Sequence, residues 1–261
     1  MCGTCGCSDG ELRMEAAPVA GAPVEALRSD LTEQPEVRHL ELDLLSKNDA
    51  IAAYNRAHFQ SHRVLALNLV SSPGAGKTTL LVETLRRLDG TVRTAVIEGD
   101  QETAADADRI RETGVPALQI NTGRGCHLDA SMIDSAFHKL HFSDGILFIE
   151  NVGNLVCPAG FDLGEAHKVV IASVTEGEDK PLKYPNMFAA ASLMLVSKAD
   201  LLPHLRFDVD RLVENARRVN PSLEVIVVSV EDGTGFPAWL EWLDSARQRV
   251  AAVPAPAHAD G

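Results

Sequence analysis

Residues 71–79 read Ser-Ser-Pro-Gly-Ala-Gly-Lys-Thr-Thr, directly after the apolar run 64–70 and before a helix-compatible segment. Glycines at 74 and 76 let the backbone curl so that its N–H groups point at phosphate oxygens. Lys77 can reach the β- and γ-phosphates, Thr78 can place a hydroxyl on Mg²⁺, and the helix N-terminus favours negative charge. The run therefore predicts a phosphate loop that binds a nucleoside triphosphate. The predicted contacts are Gly74, Ala75, Gly76, Lys77, Thr78 and Thr79.

One position departs from the usual loop pattern, because Ser71 stands where a glycine is expected six residues before the lysine. The alternative is a glycine-rich turn that binds nothing. The strand before the loop and the helix after it favour the phosphate loop.

Seven apolar runs alternate with helix-compatible stretches along the main part of the chain. They lie at 64–70, 94–97, 117–120, 146–149, 169–174, 193–196 and 225–228. Near-continuous apolar strands are typical of a parallel sheet covered by helices on both faces. The predicted fold is a three-layer α/β phosphate-loop NTPase with a mostly parallel sheet. Ligands in such sheets bind beyond the carboxyl ends of the strands.

Composition divides the 261 residues into four parts. Residues 1–10 form a Cys/Gly-rich tail, and residues 11–41 read as a flexible linker rich in Ala, Pro and Glu. The NTPase domain is expected at 42–250, opening with a helix over about 42–60. Residues 251–261 are Ala/Pro-rich and are predicted to be a disordered tail.

Charge and hydropathy narrow the choice of partners and compartment. The net charge of −13 argues against nonspecific nucleic-acid binding. No apolar run reaches the roughly 18 residues of a membrane span. Five cysteines, an odd number, and a start unlike a secretory signal argue against a disulfide framework. We therefore expect a cytoplasmic protein whose thiols bind metal or do redox chemistry.

Two carboxylates follow strands where a phosphate-bound Mg²⁺ is expected. Asp100 comes after the second run and can reach the ion directly or through water; its other interpretation is a helix N-cap. Glu150 follows the fourth run, where GTPases usually carry Asp, and can hold Mg²⁺ through a water. Gly153 can approach the γ-phosphate. The alternative for Glu150 is an ordinary surface carboxylate. Lys77, Thr78, Asp100 and Glu150 are the predicted catalytic residues, and the last three are the predicted magnesium contacts.

Ser197-Lys198-Ala199-Asp200 follows the sixth run and resembles the guanine-reading Asn-Lys-x-Asp motif of GTPases. Asp200 would accept hydrogen bonds from the guanine N1–H and amine, and the stem of Lys198 would lie over the base. Adenine offers the wrong donors to that carboxylate, which favours GTP over ATP. Ser197 in place of Asn weakens the motif, because the Asn braces the loop.

The cysteines fall into two groups. Cys2, Cys5 and Cys7 put three thiols within six residues, separated by glycines, and suit Zn²⁺ or Ni²⁺ equally. A disordered tail with incidental thiols is the alternative.

Cys126, His127 and Cys157 form an incomplete tetrahedral set beyond neighbouring strand ends, which a symmetric dimer could complete. Taken singly, each is more often a buried thiol or an ordinary histidine. Since Cys157 lies on the segment that follows Glu150 and Gly153, we hypothesise that nucleotide state sets the metal affinity of this group.

Together these motifs resemble the hydrogenase nickel-incorporation GTPases, the HypB family, over nearly the whole chain. Further matching pieces are 98–100, 121–127, 150–158 and 175–181. The resemblance implies a dimerising GTPase that helps to load nickel into [NiFe]-hydrogenase. It implies a high-affinity nickel site at Cys2, Cys5 and Cys7, and a weaker nickel or zinc site at Cys126, His127 and Cys157. It also implies GTP-favoured homodimers, a zinc-containing HypA-type partner and the hydrogenase large-subunit precursor as client.

Three alternative functions compete with that of a hydrogenase nickel-incorporation GTPase. A urease-accessory GTPase is the nearest, and the thiol tail argues against it. A metal-storage or sensor protein with a vestigial nucleotide site is disfavoured by Lys77, Thr78 and Asp200, and no segment reads as the lid of a small-molecule kinase. Because no glutamine lies next to Gly153 to orient water, we expect slow intrinsic turnover; Arg124 is an arginine-finger candidate with an equally plausible structural role.

Overall fold

One sheet of seven strands, all paired in parallel, organises the part of the chain that the structure describes. The structure is a computed structural model that describes residues 35–100, 105–123 and 125–252. The strands are β1 (Val64–Ser71), β2 (Arg93–Asp100), β3 (Ala117–Asn121), β4 (Gly145–Glu150), β5 (His167–Ser173), β6 (Leu193–Ser197) and β7 (Glu224–Val227). Each coincides with one of the predicted apolar runs, so the predicted α/β fold is confirmed.

The helices connect successive strands and cover the sheet. They are α1 (Pro35–Ser61), α2 (Lys77–Leu88), α3 (Ala105–Arg111), α4 (Ala130–Leu140), α5 (Lys180–Lys183), α6 (Pro185–Ala190), α7 (Val209–Val219) and α8 (Phe236–Ala251). Two short 3-10 helices span Cys157–Ala159 and Ala199–His204. None of the described helices combines the length and the apolar character that a membrane crossing needs.

The strand order β3-β2-β4-β1-β5-β6-β7 places β1 between β4 and β5. The connection from β1 runs to β2 on one side, whereas the connection from β4 crosses β1 to reach β5 on the other side. This reversal opens a crevice at the carboxyl end of β1. The residues that follow β1, β2 and β4 meet there, and these carry the phosphate loop and both predicted magnesium carboxylates.

The core lies on both faces of the sheet, as alternation along β1 shows. Leu65, Leu67 and Leu69 pack into a cluster with α2 and α8, in which Trp239 is fully buried. Val64 and Ala66 point to the opposite face, where they join a cluster with α1 and α4. The sheet is therefore rigidly sandwiched, and its strand ends are fixed platforms for polar side chains.

Helix α1 begins at Pro35, inside the stretch predicted to be linker, rather than near residue 42. Proline suits the first turn of a helix because its fixed φ is helical and its missing N–H has no partner there. The chain divides into a unit Met1–Lys47 and a main unit Asn48–Gly261. Within the main unit, buried Asn55 donates to the carbonyls of Ala130 and Leu163 at 2.8 and 3.1 Å. The predicted tail at 1–10 lies outside the described residues. The other predicted tail, 251–261, begins inside helix α8, which ends at Ala251, and its residues 253–261 also lie outside the described part.

Candidate nucleotide and metal site

A cavity of about 550 Å³ opens at the carboxyl ends of β1, β2 and β4. Its lining comprises the phosphate loop, the ends of β2 and β4, and residues from α3 and the β6 loop. The lining residues are 71–79, 98–100, Asp106, Arg109, 150–153 and Lys198. All predicted phosphate contacts and all four predicted catalytic residues therefore face one space.

The phosphate loop has the backbone that its glycines allow. Gly74 and Gly76 adopt φ of 75° and 89°, in the left-handed region that strains other residues. The turn ends in helix α2 at Lys77, whose first turn closes with the Leu80 N–H donating to the Gly76 carbonyl at 2.9 Å. The cavity thus faces a helix N-terminus, which favours an anionic ligand.

Glu150 accepts hydrogen bonds from a lysine and a threonine at the start of helix α2. Lys77 Nζ and Thr78 Oγ1 donate to its Oε1 at 2.7 and 2.6 Å. The Glu150 carboxylate is 1% exposed, and its Oε2 has no hydrogen-bond partner among the described residues. A buried carboxylate oxygen of this kind calls for a cation or a bound water. The arrangement fits Mg²⁺, since a hydroxyl and a carboxylate converge where a phosphate-bound ion would lie.

Glu98 is a further carboxylate of the site, and no role was predicted for it. It is buried on β2, directly paired in register with Glu150 on β4. Burial, together with the neighbouring carboxylates Glu150 and Asp100, raises the pKa of Glu98 from its ordinary 4.5 to about 7. The Glu98 carboxyl therefore gains and loses its proton near neutral pH. The sequence signal that could have identified Glu98 is its position directly after the apolar run 94–97, within a buried strand.

We expect the nucleotide-free protein to lose stability as the pH rises from about 5 to 8. The raised pKa means that the folded state holds the Glu98 proton more tightly than the unfolded chain does. The resulting stabilisation is complete below the unfolded pKa and is lost as the pH passes through about 7. The effect is at most about 3 kcal/mol.

Denaturant unfolding at several pH values, with a chelator present, measures this effect. Glu98→Gln should flatten the pH dependence, whereas Glu241→Gln, an exposed acid on α8, should leave it unchanged. An unaltered slope in the Glu98 variant would contradict the assignment.

Asp100 and Gly153 take the positions expected of them at the strand ends. Asp100 ends β2 and lines the cavity. Helix α3 begins at Ala105, and residues 101–104 lie outside the described part, so the N-cap alternative stays untested. At Gly153, an added Cβ would lie 3.2 Å from Pro73 Cα. The segment after β4 therefore passes against the phosphate loop with room for a hydrogen only.

The predicted base-reading residues lie on the loop after β6, which contacts the phosphate loop at Gly74 and Ala75. Lys198 Nζ donates to the Gly74 carbonyl at 2.7 Å, so its stem crosses the loop. Asp200 does not line the cavity described above; its Oδ1 accepts from Ser229 Oγ at 2.8 Å. Ser197, expected to weaken the motif, donates to the Ala75 carbonyl at 2.7 Å and so supplies a brace of its own.

Cys126, His127 and Cys157 come together, with one ligand atom from each lying within 4.8 Å of the others. The two Sγ atoms are 2.9 Å apart, and Cys126 Sγ lies 3.6 Å from His127 Nδ1. Burial lowers the pKa of His127, which keeps the imidazole in the neutral form that binds metals. Two thiols and an imidazole fit Ni²⁺ or Zn²⁺.

Side-chain amides connect this group to the end of β4. Asn151, buried directly after Glu150, accepts from the Leu128 backbone N–H at 3.2 Å. Asn154 donates to the Cys126 carbonyl at 3.4 Å. Both contacts join segment 150–157 to the loop that carries Cys126. A shift of that segment would therefore be felt by the thiol and imidazole ligands.

Other site residues either escaped prediction or lie outside the described chain. Arg109 on α3 lines the cavity and donates to Thr79 Oγ1 at 3.0 Å, although nothing in its spacing singled it out. Arg124, the predicted finger candidate, lies outside the described residues, as do Cys2, Cys5 and Cys7. The predictions for those four residues stay predictions.

The fold and the loop geometry define a phosphate-loop nucleotide-binding protein. Residues 65–227 match the model of the CobW/HypB/UreG nucleotide-binding domain. The chain is 52% identical to the hydrogenase maturation factor HypB of Escherichia coli strain K12, covering 95% of this chain and 99% of that protein. It is 60% identical to HypB of Rhizobium leguminosarum over 84% of this chain and 73% of that one. The chain belongs to the HypB family of hydrogenase maturation factors.

Solved structures agree with this placement. HypB from Helicobacter pylori, crystallised in complex with nickel, superposes with a TM-score of 0.73 at 41% identity, covering 78% of this chain and 96% of that one. HypB from Archaeoglobus fulgidus also gives a TM-score of 0.73, at 37% identity over 77% of this chain and 99% of that one.

Proposed function

We propose that this protein is a GTP-hydrolysing nickel metallochaperone that helps to insert nickel into [NiFe]-hydrogenase during its maturation. Its nearly full-length similarity to hydrogenase maturation factors and the nickel complex of its Helicobacter pylori relative support the proposal. The observation that carries it is the eight-residue segment from Glu150 to Cys157, which begins at the phosphate loop and ends in a transition-metal ligand set.

The nucleotide chemistry follows from the contacts of the loop. Lys77 and Thr78, which share Glu150 Oε1 in this structure, exchange that acceptor for the incoming triphosphate and its ion. Lys77 then neutralises charge on the transferred phosphoryl group, and the loop N–H groups cradle the β-phosphate. Asp200 reads the guanine edge, held in orientation by Ser229.

Thr78, Asp100 and Glu150 would hold Mg²⁺, which supplies charge neutralisation between the β- and γ-phosphates when bound. The raised pKa of Glu98, about 7, keeps this carboxyl mostly protonated below neutral pH, which limits the repulsion between the neighbouring carboxylates. Arg109 is the described arginine that lines the cavity, but its guanidinium is engaged with Thr79 and Asp106. Turnover is therefore expected to be slow without a partner.

The cargo chemistry involves two thiol groups. Cys2, Cys5 and Cys7 are proposed as the high-affinity nickel site, and Cys126, His127 and Cys157 as a weaker nickel or zinc site. GTP-favoured homodimers would bring two of the weaker sets together, and a HypA-type partner would relay the ion to the hydrogenase large-subunit precursor. Thiolate ligands of this kind function in the reducing cytoplasm.

We expect the nickel affinity of the Cys126 set to change by about 5- to 150-fold between the GDP and GTP states. The reason is mechanical: the γ-phosphate is sensed at Gly153, and Asn151 and Asn154 transmit the shift to the metal ligands. Chelator competition with GDP, and then with a non-hydrolysable GTP analogue, measures the ratio. The protein for this experiment is the full chain with Cys2, Cys5 and Cys7 replaced by alanine, which isolates the second site.

Two variants control this experiment. Cys126→Ser should weaken binding in both nucleotide states, because it removes a ligand. Asn154→Ala should shrink the ratio while leaving nucleotide affinity intact, because it removes the contact to the Cys126 carbonyl and the bond from the Val156 N–H, both away from the phosphate loop. Equal nickel affinities in the two states would sink the coupling, since a ligand without differential binding shifts no equilibrium.

Urease is a second candidate client, because the Helicobacter pylori relative, 43% identical over 72% of this chain, is named a hydrogenase/urease maturation factor. The two clients can be distinguished by supplying this chain to a bacterium that lacks its own HypB and measuring hydrogenase and urease activity. Recovery of hydrogenase activity alone supports the proposed function, and recovery of urease activity alone would replace it.

A further inference from the structure

A group of histidines lies on the face formed by α1 and α4, away from the site described above. His58 lies in the last turn of α1 and His62 directly follows that helix, whereas Asp134 and His138 are one turn apart on α4. The ring centroids of His58 lie 4.6 Å from those of His62 and 4.8 Å from those of His138. They border a cavity of about 320 Å³.

The donor set is that of a transition-metal site. His58, Asp134 and His138 each offer one ligand atom, and these atoms all lie within 4.8 Å of one another. Ligands about 2.1 Å from a shared ion lie up to about 4.2 Å apart, so a small movement of exposed His138 suffices. Asp134 Oδ1 lies 3.2 Å from His138 Nδ1 and is buried without a hydrogen-bond partner in the described part of the chain.

The surroundings keep this group ready to bind a cation. Phe137 packs edge-on against His58 with centroids 5.1 Å apart, which fixes the ring between the two helices. The partly exposed Asp134 carboxylate lies beside the histidine rings and offers the negative charge that a divalent ion would neutralise.

We propose that His58, Asp134 and His138 form an additional binding site for a divalent transition-metal ion of the imidazole-preferring kind, such as Ni²⁺ or Zn²⁺. Its two nitrogen ligands and one oxygen ligand distinguish it from the thiolate sets, and its affinity is correspondingly independent of thiol oxidation. The site is formed by α1 and α4, so the ion clamps these helices together. It does not depend on the GTPase assignment.

Equilibrium dialysis of the full chain against Ni²⁺, and separately against Zn²⁺, tests the site. The His58→Ala/His138→Ala variant should bind one ion fewer per chain at saturation than the parent. Asp134→Asn, which keeps the shape and removes the charge, should weaken that ion about tenfold or more. His141→Asn is the matched control: His141 borders the same cavity without belonging to the ligand set, and asparagine tolerates its positive φ of 47°.

A second measurement separates this ion from the thiolate-bound ones. In the full chain with all five cysteines replaced by alanine, Ni²⁺ should still raise the melting temperature, and the double histidine variant should abolish that rise. Equal stoichiometry in the parent and the double histidine variant would overturn the proposal. If the cysteine-free protein does not fold, the stoichiometry of the cysteine-containing pair decides.

Discussion

Replacing Lys77 by alanine is expected to lower GTP turnover by at least about 100-fold, because it removes the side-chain cation that stabilises the transferred phosphoryl group. The Lys77 side chain lines the cavity and is only 11% exposed, and its Nζ lies 2.7 Å from Glu150 Oε1. Phosphate release from GTP measures the loss. Lys139→Ala, at an exposed lysine on α4, should hydrolyse GTP at the parental rate.

Stability has to be separated from chemistry in this experiment. Removing Lys77 alone leaves the buried carboxylate of Glu150 without its cation, which costs about 3–5 kcal/mol. The double variant Lys77→Met/Glu150→Gln removes both charges. It should therefore recover most of the unfolding free energy that the single variant loses, but it should not recover GTP hydrolysis. Nickel binding by the Cys2, Cys5 and Cys7 tail is expected to survive in all variants. A folded Lys77 variant that still hydrolyses GTP would refute the phosphate-loop assignment.

Replacing Asp200 by asparagine is expected to weaken GTP binding by about 100-fold or more. In the predicted binding mode the carboxylate would accept from two guanine donors, whereas an amide would present a donor to the guanine amine. Xanthine carries a carbonyl where guanine carries that amine, so the variant should gain affinity for xanthosine triphosphate. The asparagine oxygen can still accept from Ser229, which preserves the loop.

Titrations with GTP, xanthosine triphosphate and ATP measure this change in specificity. Asp210→Asn, at an exposed acid on α7, is the control with the same charge change. Unchanged GTP affinity in the Asp200 variant would mean that guanine is read elsewhere.

Two features of the sequence were sufficient to predict the fold and the residues that meet at the site: the apolar runs, and the polar residues that follow them. The apolar runs marked all seven strands, because parallel strands are buried on both faces. Cys126 and Cys157 were expected near each other because both follow strands, and parallel strand ends share one edge. Neither inference needed the order of strands within the sheet.

The role of Glu98 did depend on that order. Only the adjacency of β2 and β4 sets Glu98 directly beside Glu150, and no local pattern reports which strands are neighbours. The same holds for Ser197, whose bond to Ala75 spans 122 residues. The paired histidines of α1 and α4 look like unrelated helical residues until the two helices meet.

The bonds from Ser197 to Ala75 and from Lys198 to Gly74 join the predicted base-reading loop to the phosphate loop. The two loops therefore form one connected surface that would contact the portion that GDP and GTP have in common. A surface built this way contributes affinity to both nucleotides equally and selects neither. In the proposed function, the interval between loading and release of the ion would then depend on the γ-phosphate alone.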